Sequence, residues 1–338
     1  MSFGLAGYWS GLIFVKLSRL SRPQHPDAFQ TTLFGFINCY KPPGMTSRDA
    51  VNVVQRRLKG LRTDDGAKVK VGHAGTLDPL AEGVLVMGVG RAVRLVPYVQ
   101  QQPKHYRAKF LLGQSSESGD LEDGVQLHPD LPVPTAGQLN SAAATMVGQI
   151  QQTPPAHSAI WIDGKRAHER VRAGEVVEMP TRMVNVYSMQ ILNYSFPEVD
   201  VDVVCGGGTY IRTIGLDLGL AVGSTAVMAH LRREGVGSFV HTKSVSIERL
   251  REDDIEPMLL PPSMAISHMP QVAVNESEST RLGHGLSISI VNDVDESVDP
   301  DAEIAAVTEG GQIRGIVTRR EGAWWPKRVF PVEVEAND

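Results

Sequence analysis

The sequence predicts an α+β chain, a mixed and largely antiparallel sheet with flanking helices, followed by a small β-rich carboxy-terminal unit. Three observations carry this. Runs with the two-residue alternation of strands and runs with helical spacing follow one another without the regular β-α-β beat of a parallel sheet. Helix starts are marked by capping signatures. Past Pro261-Pro262 the helical spacing gives way to short alternating runs punctuated by glycine.

In chain order, Phe34-Gly35-Phe36-Ile37-Asn38 reads as a strand, and the Lys41-Pro42-Pro43-Gly44 loop turns it into a helix. Thr46-Ser47-Arg48-Asp49 has capping-box spacing, and Ala50, Val54, Leu58 and Leu61 then share one face, with Gly60 at the frayed end. Tyr106 to Leu112 alternates: Tyr106, Ala108, Phe110 and Leu112 point one way, Arg107 and Lys109 the other. That parity places Tyr106 with the apolar residues, where a tyrosine is ordinarily core. A second helix starts at Thr135, with Gln138 three residues on, and runs through Leu139, Ala142 and Met146. Val201 to Cys205 is a strand running into Gly206-Gly207-Gly208 and a helix from Thr209 or Tyr210. Near the end, Glu303 to Val307 and Ile313 to Val317 alternate, after an acidic loop from Asn292 to Asp301, and the unit closes at Trp324 to Phe330. These breaks divide the chain into an extension (1–33), a large domain (34–262) and a small one (263–338).

At 338 residues, 42% hydrophobic and 21% charged, the chain has the length for two domains and a sizeable core. Cys39 and Cys205 form no C-x-x-C, so neither a disulfide framework nor a cysteine-rich zinc site is indicated, and a reducing cytoplasmic setting fits. The net charge of −5 hides a gradient. From Lys41 to Lys109 there are thirteen basic residues against five acidic ones, a local +8 that suits a polyanion but equally describes a solvated face. Residues 1–33 are basic and acid-poor before Asp27, compatible with an organellar targeting segment, a disordered tail or an over-long start. No stretch is long enough to span a membrane, so no membrane partner is expected.

Most chemical motifs are missing. Gly88-Val89-Gly90 lacks the third glycine of a dinucleotide fingerprint, and Gly206-Gly207-Gly208 lacks the Gly-Lys-Ser/Thr of a phosphate loop. No H-E-x-x-H, metal-ligand cluster or Gly-x-Ser-x-Gly elbow occurs, so neither a metal nor a serine nucleophile is expected. What remains is Val71-Gly72-His73-Ala74-Gly75-Thr76-Leu77-Asp78-Pro79-Leu80-Ala81-Glu82-Gly83. The residue before proline is pushed out of helical geometry, so Asp78 is held in a loop. On residue chemistry alone an Asx-type turn explains Asp78, and a packed histidine explains His73, as readily as catalysis does.

The string from Gly72 to Leu85 resembles the catalytic motif of the TruB family of tRNA pseudouridine synthases. Further blocks agree in order: Lys41-Pro42-Pro43-Gly44-Met45-Thr46-Ser47; Lys104-His105-Tyr106-Arg107-Ala108 with Gly113 and Asp120; Gln152-Thr153-Pro154-Pro155 with Ser158-Ala159 and Gly164-Lys165-Arg166; Gly208-Thr209-Tyr210-Ile211-Arg212-Thr213; and Leu231-Arg232-Arg233 with Val236-Gly237-Ser238-Phe239. The resemblance covers residues 34–240, and more loosely a carboxy-terminal unit similar to a PUA-like RNA-binding domain. It implies a pseudouridine-synthase-like fold, a monomer, and isomerisation of the T-loop uridine (U55) of tRNA without a cofactor. Asp78 would be the essential carboxylate, acting as nucleophile at sugar or base or as a base on a sugar proton. Tyr106 would pack on the target base and assist proton removal from C5, Arg212 would pair with Asp78 as the third member of the catalytic set, and Tyr210 and Leu231 would line the uracil pocket. His73 would hold the flipped nucleotide, and Lys41 would belong to the substrate-binding set. Two departures stand out: Trp161 lies near a position where many relatives have lysine, and Cys205-Gly206-Gly207 lacks a lysine found in some. An RNA-folding chaperone with incidental catalysis, a guide-RNA-dependent scaffold subunit and an RNA hydrolase are the competing classes.

Overall fold

A computed structural model of the chain describes residues 33–330 apart from 64–65, 123, 156–157, 159, 163, 168–169, 171–172, 176, 290–298 and 300. The expected extension, save Leu33, lies outside the described residues, as do most of the acidic loop 292–301 and the chain end from 331.

Strand β1 (Phe34–Lys41) runs past its expected end because its neighbour stays paired with it up to the Lys41–Gly83 register. Thr46 caps α1 (Ser47–Arg57): its hydroxyl accepts from Asp49 N–H while the Asp49 carboxylate accepts from Thr46 N–H. The helix stops at Arg57, with Leu58 as C-cap, so Leu61 reaches the core from the following turn rather than from the helical face. The chain continues through β2 (Val71–His73), β3 (Glu82–Gly90), a 3-10 turn (Arg91–Leu95), α2 (Val96–Gln101), β4 (Lys104–Leu112), β5 (Gln114–Ser115), β6 (Gln126–Leu127) and α3 (Ala136–Thr145). Thr135 and Gln138 form the second reciprocal cap. Then come β7 (Gly148–Gln152), β8 (Trp161–Ile162), β9 (Lys165–Arg166), β10 (Arg182–Ser195), β11 (Glu198–Cys205) and α4 (Ile211–Ala221). The body ends with β12 (Ala226–Val236), β13 (Phe239–Val240), β14 (Val245–Ser246) and α5 (Ile247–Glu252).

Ten of these strands form one sheet in the order β14-β1-β3-β12-β4-β11-β10-β7, with β2 beside β3 and β13 beside β12. The β1–β14 and β3–β12 pairings are parallel and the remaining pairings are antiparallel. In β4 the predicted parity holds: Tyr106, Ala108, Phe110 and Leu112 are buried, and Arg107 is exposed. On the outward face Arg107 lies 3.5 Å from Asp202 and 3.6 Å from Glu234, and Lys109 is 2.5 Å from Glu198. Exposed pairs of this kind contribute little stability each, but unlike charges placed opposite one another favour the observed register.

Helix α4 lies on the buried face of β4, at a distance only glycine permits: a Cβ on Gly215 would fall 2.2 Å from the Phe110 ring. Gly215→Ala is expected to lower unfolding free energy by about 1–3 kcal/mol through overpacking, read from urea denaturation; an unchanged midpoint would show that the helix can move away freely.

Strands β15 (Gln271–Val274), β16 (Ile304–Thr308), β17 (Ile313–Arg320) and β18 (Ala323–Val329) form the carboxy-terminal sheet in that order, with α6 (Glu276–Gly283) against it. The runs expected around Glu303 and Ile313 are β16 and β17, and α6 is an addition to the expected elements. One apolar cluster serves both sheets: Phe34, Phe36, Leu95 and Phe239 pack with Ala305, Ile313, Ile316 and Phe330. The Phe34 and Phe330 rings stack at 5.4 Å. Around them Tyr98 donates to Glu303 at 2.5 Å and Arg94 donates to the Val329 carbonyl at 3.0 Å.

Candidate active site

Asp78 lies in the loop joining β2 to β3, and the backbone of that loop is tied from several sides. Ala74 N–H donates to Val86 O at 2.8 Å. The Arg233 guanidinium, on β12 and 2% exposed, donates to the carbonyls of Val84 (2.7 Å), Gly75 (3.1 Å) and Thr76 (3.4 Å). Ser47, at the start of α1, gives its hydroxyl proton to Leu77 O at 3.0 Å and accepts from Leu77 N–H at 2.8 Å. Gly44 N–H donates to Pro79 O at 2.8 Å, Ala81 N–H to Asp78 O at 3.1 Å, and Leu80 N–H to the Glu122 carboxylate at 3.0 Å. A carboxylate carried on a loop anchored at so many points has its position set before any ligand arrives, which is the condition for preorganised catalysis.

The Asp78 side chain is 35% exposed and faces Arg212, whose Nη2 stands 3.3 Å from Asp78 Oδ2. Arg212 comes from the first turn of α4 and is 7% exposed; its Nη1 donates to Ser118 O at 2.8 Å and lies 3.4 Å from Asp120 Oδ2. Asp120 is itself buried, and its other oxygen accepts from the Ser118 hydroxyl (2.7 Å) and from Glu122 N–H (3.1 Å). A guanidinium forks, so one arm is neutralised by a carboxylate out of water while the other is offered to Asp78.

The sheet register brings the remaining wall together. Arg233 of β12 pairs with Tyr106 of β4, and Leu231 pairs with Ala108, so Tyr106, Arg233 and Leu231 share one face. Burial pushes the Tyr106 hydroxyl above its ordinary range, with the Arg233 charge acting against the shift, so the phenol is neutral near pH 7. Tyr210 precedes α4; its N–H donates to Gln152 Oε1 and its carbonyl accepts from Gln152 Nε2, which fixes the turn. The Arg182 guanidinium lies 5.0 Å above the Tyr210 ring. His73 ends β2. With Asp78, Arg212, Thr46 and Arg48, these residues line a single cleft of about 1030 Å³.

Lys41 stands apart from them. Its side chain is fully buried beneath the loop, and its ammonium donates to Met45 O (2.7 Å) and Pro42 O (2.9 Å), with Pro79 O at 3.5 Å. It clamps the turn after β1 to the Asp78 loop. Burial pulls its pKa from 10.5 down to about 8, against the attraction of Asp78. Lys104, whose ammonium donates to Gln100 O and Gln102 O, is lowered to about 8 by burial and then by Arg233. Both lysines bind a proton less tightly folded than unfolded, so stability is expected to rise with pH from about 8 and to be lost as pH falls through 8. Buried Cys39 and Cys205, raised to about 12 and 11, oppose this once unfolded thiols ionise above 9. Urea midpoints should therefore climb from pH 8 to 9, level off between 9 and 10, and fall above 10, where Tyr40 and Tyr98, raised to about 12, stay protonated while unfolded tyrosines ionise; Lys41→Gln should flatten the climb, and an unaltered slope would mean that Lys41 is not the titrating group.

Comparison with known proteins adds a family to this geometry. Residues 62–211 match the model of the TruB family pseudouridylate synthase, N terminal domain. A protein of Rhodopirellula baltica named tRNA pseudouridine synthase B is 40% identical over 334 residues, covering 88% of this chain and 94% of that one. The chain belongs to the TruB family. A relative of the same name from Synechocystis is 39% identical, covering 75% of this chain and 84% of its own. In fold, this TruB-family chain resembles a crystal structure of a Cbf5-Nop10-Gar1 complex, with TM-score 0.68 at 24% identity, covering 88% of this chain and 84% of that one. The expected pseudouridine-synthase-like architecture is thus the one found, and the chain is an enzyme of this isomerase class.

Within the TruB-family cleft, sequence reasoning located Asp78, Tyr106, Arg212, Tyr210, Leu231 and His73, which the fold brings to one place. It quoted Ser47, Arg233, Asp120 and Gln152 only as parts of motifs, and assigned nothing to Glu122 or Arg182, all of which line the cleft or hold its loops. A buried arginine whose partners are backbone carbonyls about 150 residues away leaves no local signature. Among the described residues no group of three or more His, Cys, Asp or Glu could hold a metal ion, and no helix is long and apolar enough to cross a membrane.

Proposed function

We propose that this TruB-family enzyme converts uridine to pseudouridine in tRNA, at U55 of the T loop, with Asp78 as the reacting carboxylate and without a redox cofactor. The observation that carries this reading is Asp78 itself, on a loop held from several sides, 3.3 Å from Arg212 and facing a cleft walled by Tyr106, Tyr210 and Leu231. The isomerisation breaks the C1′–N1 bond, turns the base and forms a C1′–C5 bond; N1 gains a proton and C5 loses one, so atoms and electrons balance with nothing oxidised. Asp78 serves the bond exchange, with Arg212 as its counter-ion. Tyr106, a neutral phenol, packs on the base, and Tyr210 and Leu231 complete the uracil pocket. His73, in the cleft wall, keeps the flipped nucleotide out of its stack. Arg48 and the exposed basic residues of the stretch 41–109, such as Arg56, Lys59, Lys68 and Lys70, supply phosphate contacts, which position RNA without reading its sequence.

The name shared by the relatives, tRNA pseudouridine synthase B, supports tRNA as the substrate. On this reading residues 34–262 are the catalytic domain and 263–338 a PUA-like RNA-binding domain, the enzyme acts as a cytoplasmic monomer, and residues 1–33 are an extension. The test is tritium release from unmodified tRNA transcript labelled at uracil C5. Release is expected from wild type, and not from a transcript lacking the T-loop uridine. A wild-type enzyme that binds the transcript and releases nothing would favour an RNA-folding chaperone instead.

A further inference from the structure

The Asp78 loop and the Arg212 fork belong to different parts of the sheet, yet a single short segment touches both. Residues 118–122 follow β5 and are fixed to the sheet: Met228 N–H donates to Gly119 O at 3.0 Å, and Asp120 forms a bridge with Met228. From this segment Ser118 O and the Asp120 carboxylate hold Arg212 Nη1. Two residues on, Glu122 reaches across the cleft mouth, and its Oε1 accepts from Leu80 N–H at 3.0 Å, two residues past Asp78. Glu122 N–H in turn donates to Asp120 Oδ1 at 3.1 Å, so backbone and side chain of one residue join the two halves. The other ties on the Asp78 loop come from Ser47, Gly44, Lys41, Val86 and Arg233, and among the described residues none of these is hydrogen-bonded to residues 118–122.

Resting on the reading above, we propose that Glu122 is a positioning residue for the reaction: by binding Leu80 N–H it registers the Asp78 loop against the segment that carries Arg212. Its carboxylate stands among Asp78, Asp120, Arg212 and Lys41. Partial burial, then the charge of Asp120, raises its pKa, while the Leu80 hydrogen bond acts in the opposite direction. The bond needs an acceptor oxygen and not a charge, which separates two substitutions. Glu122→Ala removes the acceptor. Glu122→Gln keeps an amide oxygen on a side chain of the same length and removes the charge, which at the mouth of an RNA-binding cleft opposes phosphate.

The experiment is single-turnover tritium release at saturating enzyme, with tRNA affinity measured in parallel, on wild type, Glu122→Ala, Glu122→Gln and Asp78→Asn. The expected result is a rate about tenfold lower in Glu122→Ala, equivalent to ~1.4 kcal/mol, with tRNA affinity equal or tighter, and recovery to within about threefold in Glu122→Gln. A purely structural role would lower affinity and melting temperature together with rate, and would not be rescued selectively. Glu122→Ala at the wild-type rate, or Glu122→Gln as slow as Glu122→Ala, overturns the proposal while leaving the function intact. Inactive wild type overturns the function itself, so the two failures are told apart.

Discussion

Asp78→Asn is expected to abolish tritium release, lowering single-turnover rate by about 10⁴-fold or more while tRNA still binds. The substitution preserves volume and leaves every tie on the loop in place, because those ties are made by backbone groups of residues 74–81 and not by the Asp78 side chain. Melting temperature should accordingly stay close to that of wild type. An Asp78→Asn enzyme that kept a substantial part of the rate would remove Asp78 from the chemistry, whatever its place in the cleft.

Arg212 is expected to give the second largest effect, and a different one. Arg212→Met leaves Asp120, itself buried, without its countercharge, which costs about 3–5 kcal/mol of stability as well as activity. Arg212→Lys restores a charge but not a fork: an ammonium can satisfy Asp120 or reach Asp78, not both in the observed geometry, so lysine should recover most of the stability and remain about 100-fold slow. Pairing Arg212→Met with Asp120→Asn isolates the buried pair, since the double variant should regain stability relative to Arg212→Met and stay inactive. Denaturation midpoints and single-turnover rates on wild type and these variants decide it; equal loss of both quantities in Arg212→Lys would mean that Arg212 only holds the fold.

How much of this could be read from the sequence depends on how far apart the interacting groups lie along the chain. The caps at Thr46 and Thr135 were legible because donor and acceptor are three residues apart. The parity of β4 was legible because one face is buried and the other charged. Strand β3 shows in the sequence only as a weak glycine pair, since almost all of its residues are buried and a strand buried on both faces carries no alternation. Strand β10 is hidden for another reason: register shifts between Val186 and Ser188 and between Ile191 and Asn193 break its two-residue period. Pro79 reveals that Asp78 sits in a loop, but not that Arg233, Ser47 and Glu122 secure that loop, because those bonds cross 30 to 158 residues of chain. Lys41 illustrates the same limit, a residue whose motif is recognisable and whose ammonium turns inward to carbonyls.

The apolar cluster that spans both sheets bears on how the protein comes apart. Phe36, Leu95 and Phe239 on one side, and Ile316 and Phe330 on the other, are each almost wholly shielded within one cluster that the two sheets share. Because this interior is shared, melting one sheet is expected to strip cover from the other, and calorimetry should record one cooperative transition where two modules joined by a linker would give two. Cutting the chain after Pro261 would accordingly yield not a smaller enzyme but an aggregating fragment, its phenylalanines open to water.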